Sequence, residues 1–155
     1  MRAGDAAEVS RLYVKSWREG YKGLLPQEYL DSLPEDKWER SFVGSAGSIV
    51  MTDGGIIDGH TNARPAADEK MSGFGEVHTL YVLPEYWGQG CGTALLRHSV
   101  EWLSGLGFVG IYLWVLDSNT RARRFYEKNC FAETEDVLLC EVGGVIVKDI
   151  RYILK

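Results

Sequence analysis

The sequence predicts a mixed α/β fold built on one sheet. Three observations carry that reading: apolar residues spaced by three and four near the start, a hairpin signal at "DGG" (53–55), and a strand, glycine-rich loop and helix that lead to a nearly continuous apolar run at 111–116. At 155 residues the chain is expected to form one domain over 1–155, long enough to bury a single substantial core. Its 45% hydrophobic and 25% charged content is that of an ordinary globular protein and excludes intrinsic disorder. A net charge of -5 excludes non-specific nucleic-acid binding, which needs a basic footprint.

In chain order, "DAAEVSRLYVKSWREGY" places Val9, Leu12, Tyr13 and Trp17 on one helical face, with Asp5 as the expected N-cap. A short second helix is expected with Pro26 at its first position and Tyr29, Leu30 and Leu33 turned inward. "DKWERSFV" extends or follows it. Two strands, 48–52 and 56 onward, flank the "DGG" turn. Residues 60–75 are polar and read mostly as a loop. Residues 76–83 form a strand closed by Pro84. Residues 90–106 form a helix with Leu96, Val100 and Leu103 on one face, ended by Gly105 or Gly107. The run 111–116 suits a central strand covered on both faces. "SNTRARRFYEKN" is a helix capped by Asp117, Ser118 or Asn119, with Ala122, Phe125 and Tyr126 on one side. Strands at 131–139 and 145–154, joined by "GG", complete the chain.

Cys91, Cys130 and Cys140 are an odd number without C-x-x-C spacing, which fits free thiols in a reducing compartment and no metal site. The opening residues lack a signal-peptide core, and the longest apolar run (108–116) falls far short of the roughly 20 residues of a membrane span. A cytoplasmic protein with no membrane and no nucleic-acid partner is expected.

"WGQGCGTALL" (87–96) concentrates three glycines at the mouth of a helix. Such glycines serve either a tight turn that needs positive φ or an anion site, where bare backbone lets a phosphate reach the unpaired N–H groups. The spacing matches neither a P-loop nor a dinucleotide-binding fingerprint.

The stretch "EVHTLYVLPEYWGQGCGTALL" (76–96) resembles motif A of the GNAT superfamily of acyl-CoA-dependent N-acyltransferases. "NTRARRFYEKNCF" (119–131) resembles that superfamily's motif B, and "SWREGYKGLLPQEYLDSL" (16–33) is similar to its acceptor-side helices. The resemblance covers nearly the whole chain. It implies a mostly antiparallel central sheet flanked by about four helices, with the cofactor at a splayed strand pair. It implies an N-acetyltransferase that moves an acetyl group from acetyl-CoA to a primary amine of a small-molecule or peptide acceptor, and it admits a homodimer.

By the same resemblance, Leu80, Tyr81 and Val82 pair with the pantetheine arm, and the loop Trp87, Gly88, Gln89, Gly90, Cys91, Gly92 and Thr93 wraps the pyrophosphate. Asn119 lies along the cofactor, Ala122 and Phe125 border its thioester end, and Tyr126 holds the position of the frequent catalytic tyrosine. An alkylamine with a pKa near 10.4 lies about 3 units from its neutral form at pH 7, a handicap of about 4 kcal/mol, so a base is useful. Glu76 is the first candidate. His78, two residues on and expected on the same face of the strand, is the second, and a water chain remains open. A backbone N–H near Leu80 is the expected oxyanion donor. No nucleophilic Cys–His arrangement is visible, which favours direct transfer in a ternary complex.

Departures from the pattern carry expectations of their own. Trp87 stands where the family has Arg or Gln, so a side-chain contact to phosphate is expected to be missing. That leaves open a non-catalytic acyl-CoA-binding or sensing domain. Asn129-Cys130 stands where Gly usually precedes the Phe, and Asn129 is expected to take the left-handed conformation. "MRAGDA" resembles only the end of the family's first strand, which is expected to be shortened. Arg121, Arg123 and Arg124 crowd a helix start, either as a solvated face or beside an anionic ligand such as the adenosine 3′-phosphate. The aromatic and acidic first forty residues suit a cationic amine or a packed core. Polyamines, aminoglycosides, amino acids and protein N-termini all remain open as acceptors.

Overall fold

A computed structural model of the chain describes residues 1–42 and 46–155. Among these, six strands form one sheet in the order β1-β2-β3-β4-β6-β5: β1 (Ser48–Asp53), β2 (Ile56–Pro65), β3 (Phe74–Val82), β4 (Gly110–Leu116), β5 (Phe131–Val142) and β6 (Val145–Leu154). Every neighbouring pair is antiparallel except β3 with β4. The helices are α1 (Ala6–Gly20), α2 (Gln27–Ser32), α3 (Cys91–Gly105) and α4 (Thr120–Lys128). The mixed, mostly antiparallel sheet with four helices is the predicted fold class.

The strand faces divide the core. Ala63, Val77, Ile111, Leu113, Val115, Ile150 and Tyr152 turn to one side, where Leu96 and Leu103 of α3 bury against them. On the other side α1 lays Val9, Leu12 and Tyr13 over Ile57, with Tyr81 and Trp38 against the same cluster. The 3.6-residue period of α1 and the two-residue period of the strands make these faces meet.

Both hairpins turn on paired glycines held at positive φ, 55° and 87° at Gly54 and Gly55 and 61° and 80° at Gly143 and Gly144, as primed turns between twisted strands require. Gly107, at φ 83°, follows α3 and ends it. Asn119 is the cap of α4, its Oδ1 accepting from the Ala122 N–H at 3.1 Å.

Several expectations are corrected. Asp5 does hold the N-cap position of α1, but its side chain makes no capping bond to the helix: it ends a 3-10 turn, Ala3–Asp5, and its carboxylate accepts the Arg2 N–H at 2.6 Å. No strand precedes α1 among the described residues, although the Met1 amino group donates to Ser48 O beside β1 at 3.3 Å. Pro26 caps α2 from outside, with an extended ψ of 128°. "DKWERSFV" holds only a 3-10 turn, Glu39–Phe42, and its last residue, Val43, lies outside the described residues. The expected loop 60–75 is strand as far as Pro65. His60 and Thr61 are polar because they bond inward, to Tyr13 and Ser99 respectively, and not because they face water. Asn129 keeps a negative φ of -101°, and its side chain donates to Phe125 O instead. Cys130 takes the left-handed conformation, at φ 68°.

Two irregularities of β3 position the site. Its pairing with β4 ends at Glu76 opposite Tyr112, and beyond that point β3 runs to Val82 and β4 to Leu116 without pairing. The sheet therefore splays open at its centre. In addition, Asn62 pairs with Thr79 while its neighbour Ala63 pairs with Val77, which leaves His78 as the extra residue of a β-bulge.

Candidate active site

A cavity of about 1340 Å³ runs from the splay to the glycine loop. It is lined by Glu76, His78, Leu80, Tyr81, Val82, Trp87, Gly88, Gly90, Gly92, Thr93, Asn119, Ala122, Phe125 and Tyr126, so nearly all the sequence-predicted site residues meet in one place. Gln89 and Cys91 do not line it. The Gln89 amide turns back to Glu85 O at 2.6 Å, and Cys91 is half-buried in the first turn of α3.

The glycines of the loop have two separate reasons. Gly88 and Gly90 sit at φ 76° and 90°, where a side chain would strain the backbone. Gly92 is helical, but a Cβ there would press on the Phe125 ring at 3.4 Å. Among the described residues, no protein acceptor meets the N–H groups from Gly88 to Thr93, the first such bond being Ala94 N–H to Gly90 O at 3.0 Å. These donors, at the positive end of α3, are chemically fitted to an anion such as a pyrophosphate.

Trp87 is held in the loop by two contacts of its own. Its Nε1 donates to Val82 O at 2.8 Å, and the Arg121 guanidinium lies 3.5 Å above its ring. A cation therefore stands at the loop, delivered from α4 rather than from the loop position itself. Arg121 has no acidic partner among the described residues, and burial lowers its pKa. Arg123, in contrast, is committed elsewhere, to Asp117 at 2.9 Å, Glu133 at 2.6 Å and the Tyr152 hydroxyl at 3.0 Å. Of the basic cluster at the start of α4, Arg123 is thus structural, Arg121 lines the cavity and Arg124 is exposed.

At the narrow end of the splay, Glu76 takes Arg64 Nε at 2.8 Å and His78 Nδ1 at 3.2 Å. The two-residue period of the strand brings His78 beside Glu76, as expected from the sequence. Burial raises the Glu76 pKa, but the hydrogen bonds from His78 and Arg64 outweigh it and hold the carboxyl below its usual value. The Glu76 side chain is 6% exposed and that of His78 is 42% exposed, so the imidazole is the member of the pair open to the cavity. Opposite, Tyr126 packs edge-on against Phe125 and Phe131, and no protein group bonds its hydroxyl among the described residues. Burial, then the nearby Tyr21, pushes its pKa well up.

Sequence reasoning missed three features. Tyr13 OH bonds His60 Nδ1 at 2.7 Å and Thr79 Oγ1 at 2.6 Å, a polar chain that links the cavity lining to the buried His60. Arg64 joins His78 in depressing the Glu76 pKa. Asp149 lines the cavity from β6. Its signal was present: in "VIVKDIRYIL" an alternation of two places Val147, Asp149 and Arg151 on one face.

Comparison with known proteins bears on this geometry. The family model described as the acetyltransferase (GNAT) family matches residues 7–130. An uncharacterized N-acetyltransferase of Bacillus subtilis, YuaI, is 30% identical over 151 residues, which span 94% of this chain and 85% of that protein. An uncharacterized N-acetyltransferase of Archaeoglobus fulgidus is 32% identical over 148 residues, spanning 90% of this chain and 91% of that one. Among solved structures, the PaiA N-acetyltransferase of Thermoplasma acidophilum in complex with coenzyme A superposes with a TM-score of 0.79 over 100% of this chain and 95% of that one, at 21% identity. With the splayed sheet, the glycine loop and these relatives in agreement, the chain belongs to the acetyltransferase (GNAT) family.

Proposed function

We propose that this protein is an N-acetyltransferase that takes its acetyl group from acetyl-CoA and passes it directly to a primary amine. The observation that carries the reading is one cavity that joins a ring of unpartnered loop N–H groups to a His–carboxylate pair across an open splay. When bound, the coenzyme supplies an acetyl thioester. The N–H groups of Gly88 to Thr93 hold its phosphates, with Arg121 as an additional cation. Leu80, Tyr81 and Val82, on the edge of β3 that β4 leaves free, line the pantetheine arm, although Val82 O is already engaged by Trp87 Nε1 and Ser16 Oγ.

His78 is the base. Its Nδ1–H donates to Glu76, which fixes the tautomer and leaves Nε2 with a lone pair toward the amine. Glu76, ion-paired and depressed, orients that ring and stabilises its charged form. The free backbone N–H groups of the bulged segment donate to the developing oxyanion. Tyr126, whose proton is held tightly, donates a hydrogen bond to the departing thiolate. Arg121 over Trp87 restores a side-chain cation to the loop, so the substitution at 87 does not favour a domain that merely senses acyl-CoA.

The test mixes the protein, acetyl-CoA and a panel of primary amines and follows free thiol. The expected result is amine-dependent thiol release that falls at least tenfold in His78→Gln, within the usual range for general acid–base catalysis. Tight acetyl-CoA binding with no thiol release from any amine refutes catalysis.

A further inference from the structure

The cavity extends past the splay between the sheet and the end of α1. The floor there is Leu116 of β4, Asp149 and Val147 of β6, and Leu138, Cys140 and Val142 of β5. The registers place these residues together: Leu116 lies opposite Asp149, Leu138 opposite Asp149, and Cys140 opposite Val147. Tyr21 and Leu25, at the end of α1 and beyond it, form the opposing wall.

Three carboxylates line the cavity, and two of them are neutralised. Glu76 is held by Arg64 at 2.8 Å, and Asp68 is held by Arg151 at 2.5 Å. Asp149 has no cation against it among the described residues; its one hydrogen-bond partner is the weak donor Cys140 Sγ at 3.8 Å. Burial pushes its carboxyl pKa up, as expected for a charge left without compensation in a half-buried wall. An anion in an apolar and aromatic wall, with no ion-pair partner among the described residues, is complementary to a cation brought by a ligand.

We propose that Asp149 binds a second positive charge of the acceptor, so that the preferred substrates are flexible diamines acetylated at one end. The inference rests on the acetyltransferase reading above. Asp149 lies opposite Leu116, four residues along β4 from Tyr112, the residue paired with Glu76. At about 3.3 Å per residue, that is roughly 13 Å of strand, shortened by the side chains that reach into the groove. A chain of several methylenes spans such a gap, whereas a compact amino acid does not.

The experiment compares 1,6-diaminohexane with hexylamine, alike in length, for wild type and Asp149→Asn. Wild type is expected to favour the diamine, and Asp149→Asn is expected to reduce the diamine-to-monoamine ratio of kcat/KM about tenfold or more, chiefly through KM. Asp149→Glu should restore part of the preference. Equal ratios in wild type and Asp149→Asn overturn the assignment while leaving the acetyltransferase reading intact. If no amine is turned over, that reading fails, and calorimetric titration of the diamine into coenzyme-A-saturated protein decides the site alone. Heat seen with wild type and lost in Asp149→Asn supports it, and equal or absent heat in both overturns it.

Discussion

His60 makes the stability of this protein sensitive to mild acid. The side chain is fully buried between Tyr13 and Phe42, and burial, with the Met1 ammonium adding to it, lowers its pKa from 6.5 to about 4. Between those values the unfolded chain takes up a proton that the folded chain refuses, so stability falls as pH falls. Linkage puts the loss at about 2 kcal/mol at pH 5 and about 3 kcal/mol at pH 4 relative to pH 7.5. Glu76, held down by its partners, adds a loss that begins only near its unfolded pKa of about 4.3 and grows as pH drops through the folded value. Asp58 and Asp149, raised by burial, act the other way, contributing stability at low pH that is lost as pH rises through their folded values. The perturbation that isolates His60 is His60→Gln, which keeps an amide near Tyr13 and removes the titration. Urea unfolding of both proteins from pH 7.5 to 4 gives the difference, in which the carboxylate contributions cancel. Wild type should lose about 3 kcal/mol more than the variant over this range. Parallel curves would refute the reasoning, whatever the absolute stability of His60→Gln.

Other perturbations address the site and the backbone. Tyr126→Phe should lower turnover about tenfold or more with little change in coenzyme binding; unchanged turnover in a steady-state assay removes the tyrosine from the mechanism. Trp87→Ala removes the platform of Arg121, and the ~0.5–2 kcal/mol of a cation–π contact corresponds to a Kd for coenzyme A raised about 2- to 30-fold by calorimetry. If Arg121→Gln alone matters and Trp87→Ala does not, the ring does not position the guanidinium. Cys130→Gly relieves a left-handed residue at φ 68°, and the ~1–2 kcal/mol of steric relief exceeds the ~0.5–1 kcal/mol that glycine costs in entropy. A Tm raised by a few degrees is expected, and a lowered one contradicts the strain.

Most of the fold was legible because its elements announce themselves locally. Val9, Leu12 and Tyr13 recur at helical spacing and are all buried, and the paired glycines at 54–55 and 143–144 mark both hairpins. The glycine loop and the Phe125-Tyr126 helix were readable for the same reason: each is a short stretch whose chemistry depends on its own neighbours. Residues 60–65 were misread because local polarity resembles a loop, whereas their hydrogen-bond partners are as distant in sequence as Tyr13 and Ser99.

The sequence by itself determined the family, the glycine loop and the residue types able to move a proton. Tertiary structure alone decided which of these groups stand together. His78 bonds Glu76 from the same strand, and Arg64, opposite Glu76 in the ladder, takes the same carboxylate into an ion pair. Trp87, a gap when read along the chain, supports Arg121 from a helix more than thirty residues away. Asp149 is conspicuous only because, unlike Glu76 and Asp68, it has no ion-pair partner among the described residues. In each case the deciding fact is which charge stands within a few ångströms of which, and strand pairing sets that rather than chain order.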